Sequence, residues 1–552
     1  MASLASYQGT LGFKNAAHLL RRTSYRYTRQ HIQQLAGMSV DQAVNGLVAL
    51  QNRVLTQPLY DNPDMPGPQQ ITWLLPPGQV LPVQNQEFQL RQRVIGWWLH
   101  EALNDSGIGH RMTFFFHQYL PTSIITYNHA TFFDYLSLLR WGALGNFKKL
   151  ATKIVSDNTM LIYLNGHQNS KNSPNENFAR EFFELFTIGK GPQLGPGDYT
   201  NYTEDDIVQA ARVFTGWRLQ QTRTGFDPET GIPRGTATLS RHDIGNKTFS
   251  DKFQNTTIAG GTTAAAMYTE LDAFVNMVFA QPETARNLVR RLYRHFVHNN
   301  ITAEVEQDII EPLAEILRSN NYEIVPVLRK LFKSIHFYDL DDSQQADEII
   351  GGLIRSPLEL SLQSISFFEV AIPSPQTENV KHYITFYTSA VYERMVGMAN
   401  LLLFYPPDVA GYAGYHQGPD YMRHWFNSTS IIARYKLPQI LLSGKRTIGS
   451  SPNSNTGVKL DFVLWVRNSG ITSDPSNAYY LVKDLIKYLL PAEIDGERFD
   501  YFYNQIFLDG LPAADWTYEW ENYLSSNNLT EVKIPLERLL NHLMFSPEFQ
   551  TY

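Results

Sequence analysis

Asn172-Ser173-Pro174-Asn175-Glu176-Asn177-Phe178-Ala179-Arg180-Glu181-Phe182-Phe183-Glu184-Leu185-Phe186-Thr187-Ile188-Gly189 predicts a helix over 174–188 with both ends marked. Ser173 caps the start, Pro174 suits the first helical position, and Glu176 three residues after Ser173 completes a capping box. Gly189 fits the left-handed residue that ends a helix. Phe178, Phe182, Leu185 and Phe186 follow the i, i+4, i+7, i+8 spacing of a buried stripe. Asn177, Arg180, Glu181 and Glu184 fall on the other faces. Two turns of one helix therefore carry two carboxylates, a guanidinium and an amide beside three phenylalanines, the pattern of a polar site set into a core.

Outward from this stretch, helical periodicity dominates. Three short helices open the chain: Asn15 to Arg22, a segment started by Thr28 and ended near Gly37, and one begun by a Ser39–Gln42 capping box. Seven prolines between Gln51 and Gln84 forbid continuous helix there, so 51–85 is expected to be an irregular arm wrapped over the body. Glu87 to Leu103 and His110 to Leu120 predict a helical hairpin turned at Asn104-Asp105-Ser106-Gly107. From Trp217 to Gly261 the period changes. Thr236 to Leu239 and Thr256 to Ala259 are β-prone, which marks 217–261 as a small β-containing insertion. Helices resume near Ala264 and continue to about Arg434. The Ser/Gly/Asn-rich 443–457 is expected to be a flexible loop or boundary before a C-terminal helical region, 458–552. The fold class expected is mainly α: one large multi-helix body over 1–552.

At 552 residues the chain can bury a large core. A net charge of −7 with only 18% charged residues provides no basic field for nucleic acid. Zero cysteines exclude a thiol nucleophile, an iron–sulfur cluster, a Cys-ligated metal and any disulfide. Cysteine avoidance suits export into an oxidising compartment, and the expected localisation is secreted or cell-surface. The segment Met1 to Thr10 has no signal-peptide pattern, so a targeting segment would be absent from the chain shown. No run approaches the ~20 apolar residues of a membrane span. Walker A, GxGxxG, HExxH, GxSxG and EF-hand patterns are missing, so no nucleotide or flavin is expected. Whether a metal is bound stays open.

Glu181 and Glu184 are three apart and can converge, the arrangement that suits general acid/base work because mutual repulsion raises one pKa. Their natural partner is the helix Pro282 to His298, whose Arg290, Arg291 and Arg294 flank an apolar stripe. His117 sits behind Phe114-Phe115-Phe116, and His110 lies two turns away, roughly 10.5 Å along the axis, too far to share one metal. A site at His117 must draw on distant residues such as Glu181 or His242. In His242-Asp243-Ile244-Gly245-Asn246-Lys247 the aspartate is expected to brace a turn and leave His242 free. Lys171, Asn175, Asn177 and Arg180 near a helix start, with Arg290, Arg291 and Lys247, are the candidates for binding an anion or substrate.

Motifs in order along the chain resemble those of the bacterial family called domain of unknown function 1800. The 172–189 stretch is similar to its "PNENFARELLELFTLG". His18-Leu19-Leu20-Arg21-Arg22 resembles its opening "HLLRR", with Thr23, Ser24 and Tyr25 departing from the glycine-containing end. Phe116-His117-Gln118-Tyr119-Leu120 resembles "WHNHF", with Tyr119 in place of the second histidine. Gly145-Asn146-Phe147, Tyr202 to Asp206, Thr215-Gly216-Trp217, His242 to Phe249, Pro406 to Tyr412 and Ser546 to Gln550 resemble further motifs. Tyr412 replaces a tryptophan. The resemblance implies an exported protein. It also implies a protein partner, because genes of this family commonly lie beside those of another exported, sulfatase-like family.

Two function classes follow. One is an exported or cell-surface binding and assembly component, acting with a partner protein or an extracellular polymer. The other is an extracellular hydrolase built on His117, Glu181, Glu184 and His242, in which His117, Glu181 and His242 would meet in one pocket.

Overall fold

The computed structural model describes residues 2–49, 55, 59–61, 70–72, 74, 87–341, 348–444 and 458–552. Its first three helices start where local capping chemistry places them. Helix α1 (Gly12–Thr23) buries Ala16, Ala17, Leu19 and Leu20. Helix α2 (Arg29–Ala36) is capped by Thr28, which accepts from the His31 N–H, and it ends on Gly37. Helix α3 (Val40–Leu47) carries the Ser39–Gln42 capping box. Helices α4 (Glu87–Asn104) and α5 (Gly109–Tyr119) form the expected hairpin. Asp105 builds its turn by accepting from the backbone of Gly107 and His110 and from His110 Nδ1.

Every residue of α6 (His129–Gly142) is buried, followed by α7 (Phe147–Ile154) and α8 (Asn158–Tyr163). The Asn172–Gly189 segment gives α9 (Glu176–Glu181) and a π-helical turn, Phe182–Phe186. Helix α10 (Glu204–Val213) follows, its capping box built by Thr203 and Asp206. Helices α11 (Ala264–Ala280) and α12 (Pro282–Phe296) come after the insertion. Later helices include Pro357–Phe367, a π-wound helix Lys381–Gly397, Ala478–Leu489 and Thr530–Phe545. The fold is mainly α.

Strands are short and pair only as antiparallel twos: β1 (Leu59–Asp61) with β2 (Gln70–Thr72), β3 (Gln193–Gly195) with β4 (Asp198–Tyr199), β5 (Trp217–Arg218) with β6 (Thr236–Ala237), and β7 (Lys247–Thr248) with β8 (Thr257–Ile258). The last two pairs fall in the 217–261 insertion. The proline-rich arm lies mostly outside the described residues; within it Leu55 and Leu74 are buried. The 443–457 loop also lies outside them, apart from Ser443 and Gly444. Among the described residues, no helix is long and apolar enough to cross a membrane.

One apolar cluster runs from Ala2 to Tyr552 and ties the two ends of the chain into the same core. Buried arginines pin its helix ends. Arg22 donates to the carbonyls of Phe296, Val297 and Ile349. Arg21 donates to Tyr488 and Leu490, and Arg355 to Phe549. The last carbonyls of a helix have no intrahelical partner, and a guanidinium can satisfy several at once. The His18-to-Arg22 and Ser546-to-Gln550 motifs thus serve a clamp, with His18 Nε2 2.8 Å from Phe337 O and Gln550 accepting from Arg434.

Candidate functional site

Helix α9 starts later than its sequence suggests. The Asn175 backbone N–H is held by Asn169 Oδ1 at 2.9 Å, and the Asn175 side chain accepts from the Asn177 N–H as the true cap. Ser173 is therefore not the cap. Glu176 becomes the first helical residue, out of reach of a capping box, and pairs weakly with Arg180 at 3.4 Å. Gly189 does end the segment with φ +75°. Phe178, Phe182 and Phe186 of the expected stripe are buried, but Leu185, in the π-helical turn, is only half-buried and Phe183 is buried instead; Phe178 stacks on Phe214 and Phe182 lies against Phe274.

The polar residues of this helix disperse to separate partners. Arg180 forks onto Glu204 at 2.8 and 2.6 Å, so its charge is neutralised internally. Asn177 Nδ2 donates to Leu164 O. Glu184 accepts from Tyr202 Oη at 3.2 Å and lies 3.6 Å from Lys190 Nζ. Glu181 is half-buried, and its pKa is raised to about 6 by burial, then by the charge of Glu184, with Asp408 adding to it and Arg180 opposing.

The expected ion pair between these carboxylates and α12 does not form. Arg290 binds Glu283 and Glu306 instead. The two segments do pack, but through backbone: Arg291 Nη2 donates to Leu185 O at 3.1 Å and Asn287 Nδ2 to Thr187 O at 2.6 Å. The π-helical turn leaves carbonyls at its end, and α12 supplies their donors. Lys171 is exposed, and its backbone N–H donates to Arg241 O.

His117, Glu181 and His242 each engage their own partners among the described residues. His117 is fully buried among Phe114, Phe132, Phe404 and Tyr412. Its Nδ1 donates to Tyr135 Oη at 3.0 Å, since that hydroxyl donates onward to Leu120 O. Burial pushes its pKa down to about 3. It is a neutral core pin.

His242 is not free either. Its Nε2 lies 2.7 Å from Glu270 Oε2 and its Nδ1 2.9 Å from Thr215 O. Lys247 reaches Glu270 Oε1 at 2.6 Å, and Gly261 N–H donates to Glu270 Oε2. Lys247 is an internal counter-ion, not an anion binder. Asp243 does brace its turn, accepting from the Gly245 N–H, and it pairs with Arg212. Glu270 escaped the sequence reading; its only signal is a single acid on the apolar face of Ala264 to Ala280. Among the described residues, no group of three or more His, Cys, Asp or Glu could hold a metal ion.

A different cleft lies between α5, α12 and the segment that follows the Pro406-to-Tyr412 motif. It is lined by Phe115, Gln118 and Tyr119 of α5, Arg291, Arg294 and His295 of α12, and Tyr415, His416 and Met422. The Pro406-to-Tyr412 loop closes onto α5 at Gly411, where φ is +90° and a Cβ would sit 2.8 Å from Gln118 O. Only glycine permits that approach. Tyr163 Oη donates to Asp408 O, which ties the same loop to α8. The cleft is narrow, with a cavity volume of about 20 Å³, room for about one water molecule, before it opens to solvent.

Its chemistry is one-sided. The Arg291 guanidinium lies over the Tyr119 ring at 4.3 Å, and Arg294 lies over Tyr421 at 5.1 Å. Burial holds the His295 pKa well below its usual range, followed by the charge of Arg111, and burial also lowers His416. Gln118 Nε2, Tyr119 Oη, Arg294 Nε, both His295 nitrogens and His416 Nε2 are buried without a hydrogen-bond partner among the described residues. Among the described residues, no carboxylate lines the cleft. Glu181 stands within electrostatic reach of Asp408, and Asp408 of His416. Sequence reasoning singled out Arg291 but missed Gln118, Tyr119 and His416; the Tyr415-His416 pair just after the Pro406-to-Tyr412 motif was the available signal.

Fold and cleft together define a large, mainly α protein that carries a cationic, donor-rich pocket where α5, α12 and the segment after the Pro406-to-Tyr412 motif meet. The chain belongs to the family described as protein of unknown function DUF1800, whose pattern matches residues 18–551, nearly its whole length. No curated protein and no solved structure matches it.

Proposed function

We propose that this protein is an exported or cell-surface binding component that receives an anionic group of a partner protein or extracellular polymer in the cleft between α5, α12 and the 406–422 loop. One observation carries the reading: two guanidiniums and a set of buried, unpartnered polar atoms face a cleft that, among the described residues, is lined by no carboxylate. Buried polar atoms are ordinarily paired, so an arrangement of this kind favours a ligand that supplies acceptors. Arginine in a partly dry setting binds carboxylate, phosphate or sulfate by paired hydrogen bonds.

Titration calorimetry with sodium sulfate, phosphate and acetate as minimal probes tests the reading. The wild type is expected to bind at least one of them, and Arg291→Ala/Arg294→Ala to lose that binding while keeping the wild-type circular dichroism spectrum. Equal heats for both proteins with all three probes would overturn it.

A second reading, an extracellular hydrolase, rests on Glu181. Its raised pKa and its neighbours Glu184 and Asp408 suit a general acid. His117 and His242 lie among other partners, so this reading would rest on Glu181 and Asp408 with His416. Glu181→Gln with an unchanged turnover of any polymer the protein is found to cleave would remove it.

A further inference from the structure

Outside that cleft, Tyr479, Lys483 and Lys487 fall four residues apart and form a solvent-facing stripe on the Ala478–Leu489 helix, whose Leu481, Val482, Leu485 and Ile486 are buried. Tyr479 is 43% exposed. The chain leaves this helix at Leu490 and returns Phe499 and Tyr503, again four apart, to the Tyr479 ring. Tyr479 stands edge-on to both, with centroids at 5.1 and 5.9 Å, while Phe499 and Tyr503 lie nearly parallel at 5.7 Å. From α1, Phe13 packs edge-on against Tyr488 and receives Lys487 Nζ at 4.3 Å from its ring centroid. These rings line a groove of about 760 Å³ between α1, the 478–489 helix and the 491–503 segment. That volume is within the ~300–1,000 Å³ range of small-ligand sites.

The polar groups of the groove carry both signs. Lys14, Lys483 and Lys487 supply donors, and Glu493, Asp495 and Asp500 supply acceptors. Arg21, the remaining cation, is occupied by the carbonyls of Tyr488 and Leu490. Among the described residues, none of the three ammoniums is paired with a carboxylate, and the hydroxyls of Tyr479 and Tyr503 have no hydrogen-bond partner. This composition selects among occupants. A fatty acyl chain would fill the apolar floor and leave the charges and phenols unused. A polyanion would meet three carboxylates. A neutral sugar uses every part: its hydroxyls accept from ammoniums and donate to carboxylates, and the C–H face of its ring packs on the electron-rich face of an aromatic side chain.

We propose that this groove binds a neutral oligosaccharide, with Tyr479, Phe499 and Tyr503 as the stacking surface and Lys483, Lys487, Glu493 and Asp500 as hydrogen-bonding partners of its hydroxyls. Exposed aromatic rings are costly in water, and phenols are suited to a ligand that is apolar on one face and wet at its edge. The groove shares no residue with the cleft that holds Arg291, so this site stands independently of the anion-binding reading.

Titration calorimetry on the full-length protein provides the test, with cellohexaose, xylohexaose, mannohexaose, laminarihexaose, maltohexaose and chitohexaose as probes. The wild type is expected to bind at least one of them, and Tyr479→Ala/Tyr503→Ala to weaken that binding roughly tenfold or more. Tyr479→Trp, which keeps an aromatic face, should retain most of the affinity. A wild type that binds none of the six overturns the site; binding of sodium laurate or trigalacturonate in their place would assign the groove to an amphiphile or an anion. Equal affinities in the wild type and the folded double variant overturn it as well. If the double variant loses the wild-type circular dichroism spectrum, Tyr479→Ala, at an exposed position, decides alone, with a weakening of about threefold or more expected.

Discussion

His242 Nε2 lies 2.7 Å from Glu270 Oε2 in the protein interior, and that one contact changes what the His242-to-Phe249 motif means. Glu270 also takes Lys247 Nζ at 2.6 Å, and the three side chains are almost wholly buried, at 1%, 0% and 3% exposure for His242, Lys247 and Glu270. The motif anchors the insertion to α11. Glu270→Gln should leave the Lys247 cation without its counter-charge and destabilise the fold by roughly 3–5 kcal/mol. Urea unfolding measures this; a change below ~1 kcal/mol would show that the insertion tolerates an unpaired charge.

Arg22 provides a second test. It donates to three carbonyls, two at the end of α12 and one at Ile349. Arg22→Met keeps the aliphatic stem and removes every donor. The variant is expected to lose roughly 3 kcal/mol or more, since each buried carbonyl left unpaired costs ~1–3 kcal/mol. A thermal midpoint equal to wild type would mean that these carbonyls find other donors.

The start of α9 can be checked by two alanine substitutions. Asn175→Ala removes the observed cap and should cost about 1 kcal/mol. Ser173→Ala should change stability by less than ~0.5 kcal/mol, because its side chain caps nothing. The reverse order would restore the Ser173 cap.

Glu181 predicts a pH dependence. Its folded-state pKa is about 6 against an ordinary 4.5, raised by burial and then by Glu184. A carboxyl raised in this way contributes stability that is fully present below pH 4.5 and lost as the pH rises through about 6. Glu181→Gln should therefore gain on the wild type between about pH 4 and about pH 7.5, as followed by urea midpoints at the two ends. A constant difference across that range would place the Glu181 titration outside it.

The sequence by itself determined the elements whose causes lie within a few residues. The Thr28 cap, the Ser39–Gln42 capping box, the left-handed Gly189 and the apolar stripe of Phe178, Phe182 and Phe186 act through local backbone hydrogen bonds and helical spacing. Such interactions follow from the order of residues alone. The mainly α fold and the β-containing insertion were legible for that reason.

Tertiary structure alone decided which polar groups are occupied. Asn169 shifts the start of α9 by holding the Asn175 N–H, Glu204 takes Arg180, and Glu270 takes both His242 and Lys247. Arg291 turns to a carbonyl and to the Tyr119 ring, leaving a cleft made by α5, α12 and a loop more than a hundred residues further along the chain. A charged or titratable side chain takes its role from burial and from the groups across from it, and those neighbours come from distant segments brought together by packing of the apolar core.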